Sequence, residues 1–188
     1  MKKQPLIVGV SGASGAPLAV ELLKQLKATS LESNLILTSS AQLTIPSETG
    51  LSLEEFRSLA DIVYDIDQMG AMPASGSFPT AGMVVVPCSM KTVAGIHSGY
   101  SDNLLLRAAD VTLKERRKLV LVAREAPLST IHLRNLYDLS MMGAVILPPM
   151  MNYYCRPASV EDMTRQIVGR ILDQFSVEAE TLRRWEGM

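Results

Sequence analysis

The sequence predicts an α/β fold of three layers, with a mostly parallel sheet flanked by helices. Short apolar, β-branched runs recur along the 188 residues, and segments with apolar residues at helical spacing lie between most of them. The runs are apolar throughout rather than alternating, which is typical of strands covered on both faces. With 47% hydrophobic residues, the chain can bury about 70% of its unfolded surface. We therefore expect residues 1–188 to form one domain.

Six runs are predicted to be buried strands. They are residues 6–10, 35–37, 62–64, 83–86, 119–122 and 145–147. A Gly/Ser-rich turn after the first run leads into an amphipathic segment, and no linker, repeat or low-complexity stretch separates the later elements. This alternation of strands and helices predicts a Rossmann-like architecture.

Start signals mark helices between the runs. Leucines at helical spacing follow the glycine turn, at positions 18, 22, 23 and 26. Four more helices are predicted from candidate caps, namely Ser52 with Glu55 opening 53–59, Asp102 opening 103–117, Ser129 opening 130–139 and Ser159 opening 160–175. The C-terminal segment 177–188 is also predicted to be helical, whereas 69–80 is the longest irregular stretch.

Charge and cysteine content limit the partners and the location. A net charge of -1 gives no general attraction to nucleic acid or to an acidic membrane, so any anion site must be built locally. Cys88 and Cys155 are expected to be free thiols, and two histidines without clustered Cys/His spacing indicate no metal site. Without a signal-peptide core or a run of about 20 apolar residues, we expect a cytoplasmic protein whose partners are small molecules and other subunits.

The stretch 6–17 has the features of a phosphate-binding turn. Its glycines at 9, 12 and 15 allow close approach to a ligand, and Pro17 suits a first helical position. Free N–H groups at the start of the following helix attract anions, and Ser11 and Ser14 add hydroxyl groups beside them. We therefore expect phosphate to bind at this helix start; a plain strand-to-helix connection is the alternative.

Polar residues follow four predicted strands, at 11–14, 38–40, 87–92 and 124–125. In an open parallel sheet, ligands bind beyond these carboxyl ends, so the four segments are expected to converge. A nicotinamide-binding domain would normally carry Asp or Glu after its second strand, whereas serines stand here. This disfavours NAD and leaves flavin mononucleotide (FMN) as a candidate.

Four cations are candidates to hold a second phosphate. Arg107 and Lys114 lie seven residues apart on one face of a predicted helix, Arg124 ends a strand, and Arg170 belongs to a later helix. A solvated surface charge is the alternative for each, and only convergence would make them a site. The chain has no D-D-x-x-D repeat, so magnesium-assisted departure of a diphosphate is not indicated.

Six motifs spread over nearly the whole chain carry a family resemblance. They are Ser-Gly-Ala-Ser-Gly at 11–15, Ala-Ser-Gly-Ser-Phe at 74–78, Pro-Cys-Ser-Met-Lys-Thr at 87–92, Arg-Ala-Ala-Asp at 107–110, Leu-Lys-Glu-Arg-Arg at 113–117 and Arg-Glu-Ala-Pro at 124–127. With these motifs the chain closely resembles the flavin prenyltransferases of the UbiX type, which supply prenylated flavin to separate decarboxylases. Ser-Met-Lys-Thr at 89–92 and the short tail resemble the branch that accompanies non-oxidative hydroxyarylic acid decarboxylases.

The resemblance implies metal-independent transfer of a dimethylallyl group from dimethylallyl monophosphate to N5 and C6 of reduced FMN. FMN would be held by Gly12, Ala13, Ser14, Ser39, Ser89, Met90, Lys91, Thr92 and Arg124. The prenyl phosphate would be surrounded by Arg107, Lys114, Arg124, Glu125, Tyr154 and Arg170, with Trp185 enclosing the prenyl group. Ser14, Glu48 and Glu125 would assist proton transfer, and Tyr154 is a further catalytic candidate. Without the family, Glu48 is equally well a solvent-facing helix residue and Tyr154 a packing residue.

The resemblance also implies a homo-oligomer, typically a dodecamer with sites between subunits, and a UbiD-type decarboxylase that receives the product. Cys155 stands where such proteins often have His. Two other functions stay open on the residues alone. One is a non-catalytic FMN carrier within a decarboxylase complex. The other is a flavin-dependent cysteine decarboxylase, which would not need Arg107, Lys114 and Arg170 together.

Overall fold

The computed structural model describes residues 3–179 and 182–187, in which strands alternate with helices. The strands are β1 (Gln4–Val10), β2 (Leu31–Leu37), β3 (Ile62–Tyr64), β4 (Gly82–Cys88), β5 (Leu119–Ala123) and β6 (Val145–Ile146). The helices are α1 (Ala16–Leu26), α2 (Ser39–Thr49), α3 (Leu53–Arg57), α4 (Met90–His97), α5 (Leu104–Lys114), α6 (Thr130–Met141) and α7 (Val160–Asp173). A short 3₁₀ turn, Met72–Ala74, lies within the stretch predicted to be irregular.

The described strands form one sheet in the order β3-β2-β1-β4-β5-β6, and each neighbouring pair is parallel. Their carboxyl ends therefore lie along one edge. The strand order reverses between β1 and β4, so the connections after these two strands diverge and leave a crevice. The predicted α/β sandwich with a mostly parallel sheet is confirmed.

Helices bury both faces of the sheet. On one face α1 packs beside α7, where Leu22 and Ile171 have no exposed surface. On the other face α4, α5 and α6 contribute buried side chains such as Leu105 and Leu139. Each such aliphatic side chain stabilises the fold by roughly 1.5–3 kcal/mol. The two apolar layers hold the sheet rigidly, and with it the loops at the carboxyl edge.

The structure contains two helices, α2 and α4, that the sequence patterns do not predict. Only Ala41 and Ile45 are buried in α2, and Gly95 interrupts α4, so neither has a dense apolar repeat. Each begins directly after a strand at a capping side chain, Thr38 or Ser89. Local capping chemistry therefore marks these helices better than hydrophobic periodicity does.

Two other predictions differ from the structure. Helix α5 is capped by Asn103 rather than Asp102, because the Asn103 side chain accepts a hydrogen bond from the Leu106 N–H at 3.0 Å. The predicted helix over 177–188 is wrong for its described part, since 177–179 and 182–187 are not helical; residues 180, 181 and 188 lie outside the described residues. Among the described helices, none is long and apolar enough to cross a bilayer.

Candidate functional site

A cleft of about 700 Å³ lies at the carboxyl edge, beside the point where the strand order reverses. The turn after β1 contributes Gly12 to its lining, and the first turns of three helices contribute most of the rest. These lining residues are Thr38, Ser39 and Ser40 for α2, Ser89, Lys91 and Thr92 for α4, and Asn103, Leu105 and Leu106 for α5. The predicted polar segments after β1, β2 and β4 are thus brought together.

The helices that open onto the cleft make it suited to an anion. Thr38 Oγ1 accepts a hydrogen bond from the Ala41 N–H at 3.2 Å, and Ser89 Oγ accepts one from the Thr92 N–H at 3.3 Å. The remaining N–H groups of each first turn lie at the positive end of a helix dipole. Together with the Lys91 ammonium group and the serine hydroxyls, they can bind a phosphate and its attached alcohol groups.

Ser11 joins the turn after β1 to the start of α4. Its hydroxyl donates to the Pro87 carbonyl at 2.9 Å and accepts from the Ser89 N–H at 2.7 Å, with 1% of the residue exposed. The sequence predicts a ligand-facing hydroxyl at this position, whereas the structure turns it inward. Its contribution is to hold two walls of the cleft at a fixed separation.

Glu48 changes where phosphate is expected to bind. Its Oε2 accepts hydrogen bonds from the backbone N–H groups of Gly15 at 2.8 Å and Ala16 at 2.9 Å. These are two of the N–H groups at the start of α1 that the glycine-rich turn predicts as phosphate donors. A carboxylate from α2 already satisfies them, whereas the starts of α2, α4 and α5 open onto the cleft. The expectation of a phosphate cradle at α1 is therefore revised.

Glu48 is held in its charged form. Burial by itself raises the pKa of Glu48, but hydrogen bonds from the Gly15 N–H, the Ser14 hydroxyl and the Ala16 N–H, together with the positive charge of Arg124, bring its pKa below the ordinary value. The structure thus groups Ser14, Glu48 and Arg124 around the turn after β1. In this state Glu48 accepts protons and hydrogen bonds rather than donating them.

We expect E48Q to lose stability in a pH-dependent way. Because the pKa of Glu48 is lowered on folding, the carboxylate stabilises the protein above its ordinary value of 4.5, and this contribution is lost as pH falls through the folded-state pKa. Chemical denaturation should therefore show a larger free energy of unfolding for wild type than for E48Q at pH 7. This difference between the two proteins should disappear in acid.

A matched control for that experiment is E55Q. Glu55 also accepts hydrogen bonds at a helix start, from the Ser52 hydroxyl and N–H, and its pKa is also lowered, first by the Ser52 hydroxyl. E55Q should show a difference of the same sign, although Glu55 lies away from the cleft. If the difference in unfolding free energy between wild type and E48Q stays constant from pH 7 to strong acid, Glu48 is not charged as assigned.

The four candidate cations do not converge within one chain. Helix α5 runs from the cleft, which Leu105 and Leu106 line, back to Lys114 near the start of β5. Arg124 follows the other end of β5, a strand of 5 residues that spans roughly 16 Å. Lys114 and Arg124 therefore lie at opposite ends of the strands, Lys114 at the amino ends and Arg124 at the carboxyl ends.

The two α5 cations have partners nearby. Arg107 Nε donates to the Ala74 carbonyl at 3.1 Å, and its Nη1 pairs with Asp110 at 2.7 Å. Lys114 pairs with Glu115. The first of these contacts places Arg107 beside the 3₁₀ turn, and Lys114 Nζ lies close to Gly76 in the loop after it. Both side chains stay partly exposed.

The aromatic candidates meet near the C-terminus. Tyr154 and Trp185 pack edge to face, with ring centroids 5.6 Å apart and an interplanar angle of 81°.

The remaining candidates are charged. Arg170, on the last turn of α7, pairs with Asp173 at 3.0 Å. Glu125 follows β5, is exposed, and accepts from its neighbour Ala126 N–H at 3.0 Å. Tyr154, Trp185, Arg124 and Glu125 are all accessible in the single chain.

Asn103 lines the cleft but was not among the sequence candidates, and its position at the N-cap of α5 is the signal that marks it. Thr38 and Ser40, from the predicted polar segment 38–40, line the cleft as expected. Cys88, by contrast, lies inside the protein, where burial raises the pKa of its thiol, so it is a packed thiol rather than a nucleophile. Within 3–179 and 182–187, no three His, Cys, Asp or Glu side chains are placed to hold a metal ion.

An apolar surface on α6 is also exposed. Ile131, Tyr137 and Met141 are each at least 65% exposed, and Tyr137 and Met141 lie one helical turn apart. Met150 and Tyr153 continue the apolar character in the segment before α7. Surfaces of this kind on a folded chain are typical of contacts between subunits.

Comparison with known proteins identifies relatives over nearly the whole chain. The family model described as Flavoprotein matches residues 1–175. A probable UbiX-like flavin prenyltransferase from Streptomyces sp. strain D7 is 52% identical over 184 residues, which is 97% of this chain and 92% of that protein.

Two solved structures are closely similar. The crystal structure of AnUbiX in complex with FMN and dimethylallyl pyrophosphate has a TM-score of 0.97 and 47% identity, covering 99% of both chains. A dodecameric FMN-dependent UbiX-like decarboxylase from Escherichia coli O157:H7 has a TM-score of 0.96 and 50% identity, covering 97% of this chain and 100% of that one.

Proposed function

Because this chain belongs to the family of UbiX-like flavin prenyltransferases, it is an enzyme of flavin prenylation, and we propose how its residues hold and join the two substrates. The acceptor is reduced FMN and the donor is a dimethylallyl phosphate ester. The observation that carries the proposal is the cleft of about 700 Å³, into which α2 and α4 direct their first turns.

The residues around the cleft fit FMN. Gly12 approaches α2 so closely that a Cβ atom on it would lie 2.3 Å from Ser40 Cβ, which brings the backbone of the turn within reach of a ligand at the α2 start. In the proposal, the phosphate binds at the first turns of α2 and α4, and the turn after β1 lies along the flavin. The proposed FMN residues are Gly12, Ala13, Ser14, Ser39, Ser89, Met90, Lys91, Thr92 and Arg124.

The prenyl phosphate is proposed to bind between subunits. Arg124 and Lys114 lie at opposite ends of the strands, so one phosphate contacts both only if a second copy of the chain supplies Lys114. In the proposal, that copy also supplies Arg107, which lies on the same helix. Arg124, Glu125, Tyr154, Arg170 and Trp185 are exposed in the single chain and accessible to such a neighbour. The exposed apolar surface of α6 and the dodecameric assembly of a 50% identical relative support a homo-oligomer, for which we propose twelve subunits.

Each group in this site has a defined chemical role. Reduced FMN supplies the N5 and C6 positions that become bonded to the prenyl carbons. Breaking the allylic C–O bond leaves negative charge on the departing phosphate, which the fixed guanidinium and ammonium groups stabilise without a metal. Tyr154 and Trp185 cover the prenyl group and exclude water.

Proton transfer is assigned to the carboxylates and to Ser14. Because its pKa is lowered, Glu48 is ionised and has no proton of its own to donate, and the Ser14 hydroxyl, hydrogen-bonded to it, can relay a proton between Glu48 and the ligands. Glu125 follows Arg124 directly and is proposed to act on the phosphate side. Tyr154 is the remaining catalytic candidate, through its hydroxyl group.

We further propose that the product serves a separate UbiD-type decarboxylase, and that residues 1–188 act in the cytoplasm as one flavoprotein domain. Three observations support parts of this: the single sheet, the family model over 1–175 and the name of the relatives. Because one similar structure is described as a decarboxylase, direct decarboxylation by this chain is the alternative to test.

The decisive experiment is anaerobic incubation of the purified protein with reduced FMN and dimethylallyl monophosphate, with the pyrophosphate tried in parallel. Mass spectrometry of the released flavin should show addition of one C5 unit. Bound FMN without the added unit, on intact protein, would contradict the proposal and indicate a flavin carrier.

Two further reactions separate the alternatives. Incubation of the chain alone with a hydroxybenzoate should give no decarboxylation, whereas product formation would indicate an acid decarboxylase. Removing the charge of Lys114 should reduce prenyl transfer, whereas a thiol-oxidising decarboxylase would transfer no prenyl group in either protein. Full prenyl transfer in the variant would exclude Lys114 from the phosphate site.

A further inference from the structure

The C-terminal tail is bound by a contact from each of four consecutive residues. Leu182 packs on α7 at Gly169, where an added Cβ would come within 2.8 Å of the Leu182 Cβ. Arg183 Nη1 donates to the Cys155 carbonyl at 3.0 Å. Arg184 pairs with Asp173, and Trp185 packs on Tyr154. The tail thus lies between α7 and the segment that carries Tyr154, without forming a helix.

Asp173 is shared between the tail and the proposed phosphate site. Its Oδ1 accepts from Arg184 Nη2 at 2.7 Å and its Oδ2 from Arg184 Nη1 at 3.1 Å, a two-point contact. The same Oδ2 accepts from Arg170 Nη1 at 3.0 Å. The Asp173 side chain is 15% exposed, against 51% for Arg170 and 56% for Arg184, so the carboxylate lies inward of both guanidinium groups.

We propose that Asp173 is a positioning residue that couples the tail to the prenyl-phosphate site: it orients Arg170 towards the phosphate and holds the tail so that Trp185 covers the prenyl group. This rests on the proposed function. Two guanidinium groups around one carboxylate leave an excess positive charge, which favours a phosphate dianion beside Arg170.

The shared carboxylate makes phosphate binding and tail docking mutually favourable. A phosphate that fixes Arg170 also fixes its partner Asp173, and an ordered Asp173 binds Arg184 at a smaller entropic cost. By thermodynamic linkage, a docked tail strengthens phosphate binding by the same factor. Loss of Asp173 should therefore weaken both together, rather than either one alone.

Trp185 reports the tail position directly, because it is the single tryptophan of the chain. The experiment uses the FMN-loaded, full-length protein and the variants D173N, R184Q and D162N. Tryptophan emission and its quenching by acrylamide are measured with and without dimethylallyl monophosphate, and KM and kcat are measured for prenyl transfer.

For D173N we expect red-shifted, more readily quenched emission and a KM for dimethylallyl monophosphate raised about tenfold, with FMN affinity close to wild type. R184Q should shift the emission equally but raise KM less, since the Arg170 pair persists. D162N is the matched control, because Asp162 on the same helix also pairs with an arginine three residues on, Arg165 at 3.4 Å, and it should change neither readout.

Changed emission with unchanged KM, or the reverse, would overturn the coupling, as would D173N behaving like D162N. If D173N fails to fold, R184Q decides: an emission like that of wild type would overturn the proposal. A wild-type protein that transfers no prenyl group would instead refute the proposed function. In that case the emission response to dimethylallyl monophosphate still tests the coupling. A response that is lost in D173N would support it, and a response that D173N retains would overturn it.

Discussion

Replacing Arg124 with methionine should lower kcat for prenyl transfer by about 10²–10³-fold, the usual cost of removing one fixed group that stabilises developing charge. The Arg124 N–H donates to the Cys88 carbonyl at 3.0 Å, so the residue is anchored where β4 and β5 end. Its guanidinium group is also the charge that acts on Glu48. Methionine keeps most of the side-chain length and removes the charge.

The measurement is single-turnover formation of prenylated flavin under anaerobic conditions, with FMN affinity determined separately. R165M is a suitable control, because Arg165 is an arginine of α7 with surface partners, Asp162 at 3.4 Å and Glu21 at 4.0 Å. It should retain wild-type kcat. Arg124 would be excluded from the site if R124M kept both its turnover and its FMN affinity.

A second large effect is expected for G12A. The new Cβ would lie 2.3 Å from Ser40 Cβ and 3.1 Å from the Ser40 carbonyl carbon, so the first turn of α2 must move. Overpacking of this kind costs about 1–3 kcal/mol of stability. Because the same turn lines the cleft, we expect FMN affinity to fall about 100-fold or more, which corresponds to roughly 2.7 kcal/mol.

Titration of FMN by flavin fluorescence and thermal unfolding measure the two effects of G12A. The control is G70A, since a Cβ on Gly70 meets nothing within 4 Å. That variant should bind FMN normally and be as stable as wild type or slightly more so, because alanine restricts the unfolded chain. Normal FMN affinity in G12A would show that the α2 start does not form the flavin site.

Much of the cleft was predictable because its residues follow strands. In a parallel sheet, residues after strands share one edge whatever their sequence separation. Hence the segments 11–14, 38–40 and 87–92 were expected together, and Gly12, Ser39 and Ser89 do line one cleft. Helix α2 was missed because only two of its positions are buried, and α4 because it is short and contains Gly95, although their caps, Thr38 and Ser89, are visible in the sequence.

The contacts that define individual roles were not predictable. Glu48 and the Gly15 N–H are 33 positions apart, and nothing in either segment shows that a carboxylate fills the start of α1. Likewise Lys114 and Arg124, close in sequence, are separated by the length of β5, so they do not meet within a single chain. Arg184 reaches Asp173 only because the tail folds back along α7.

The sequence by itself determined the parallel α/β sandwich, the edge at which ligands bind and, through its motifs, the flavin prenyltransferase family. These follow from local apolar periodicity, capping and short motifs, which operate over a few residues. Only the tertiary structure decided that Glu48 occupies the start of α1, that Lys114 and Arg124 lie at opposite ends of the strands, and that Trp185 packs against Tyr154. Those features depend on pairs of groups distant along the chain, whose approach is set by packing of the whole fold rather than by any local pattern.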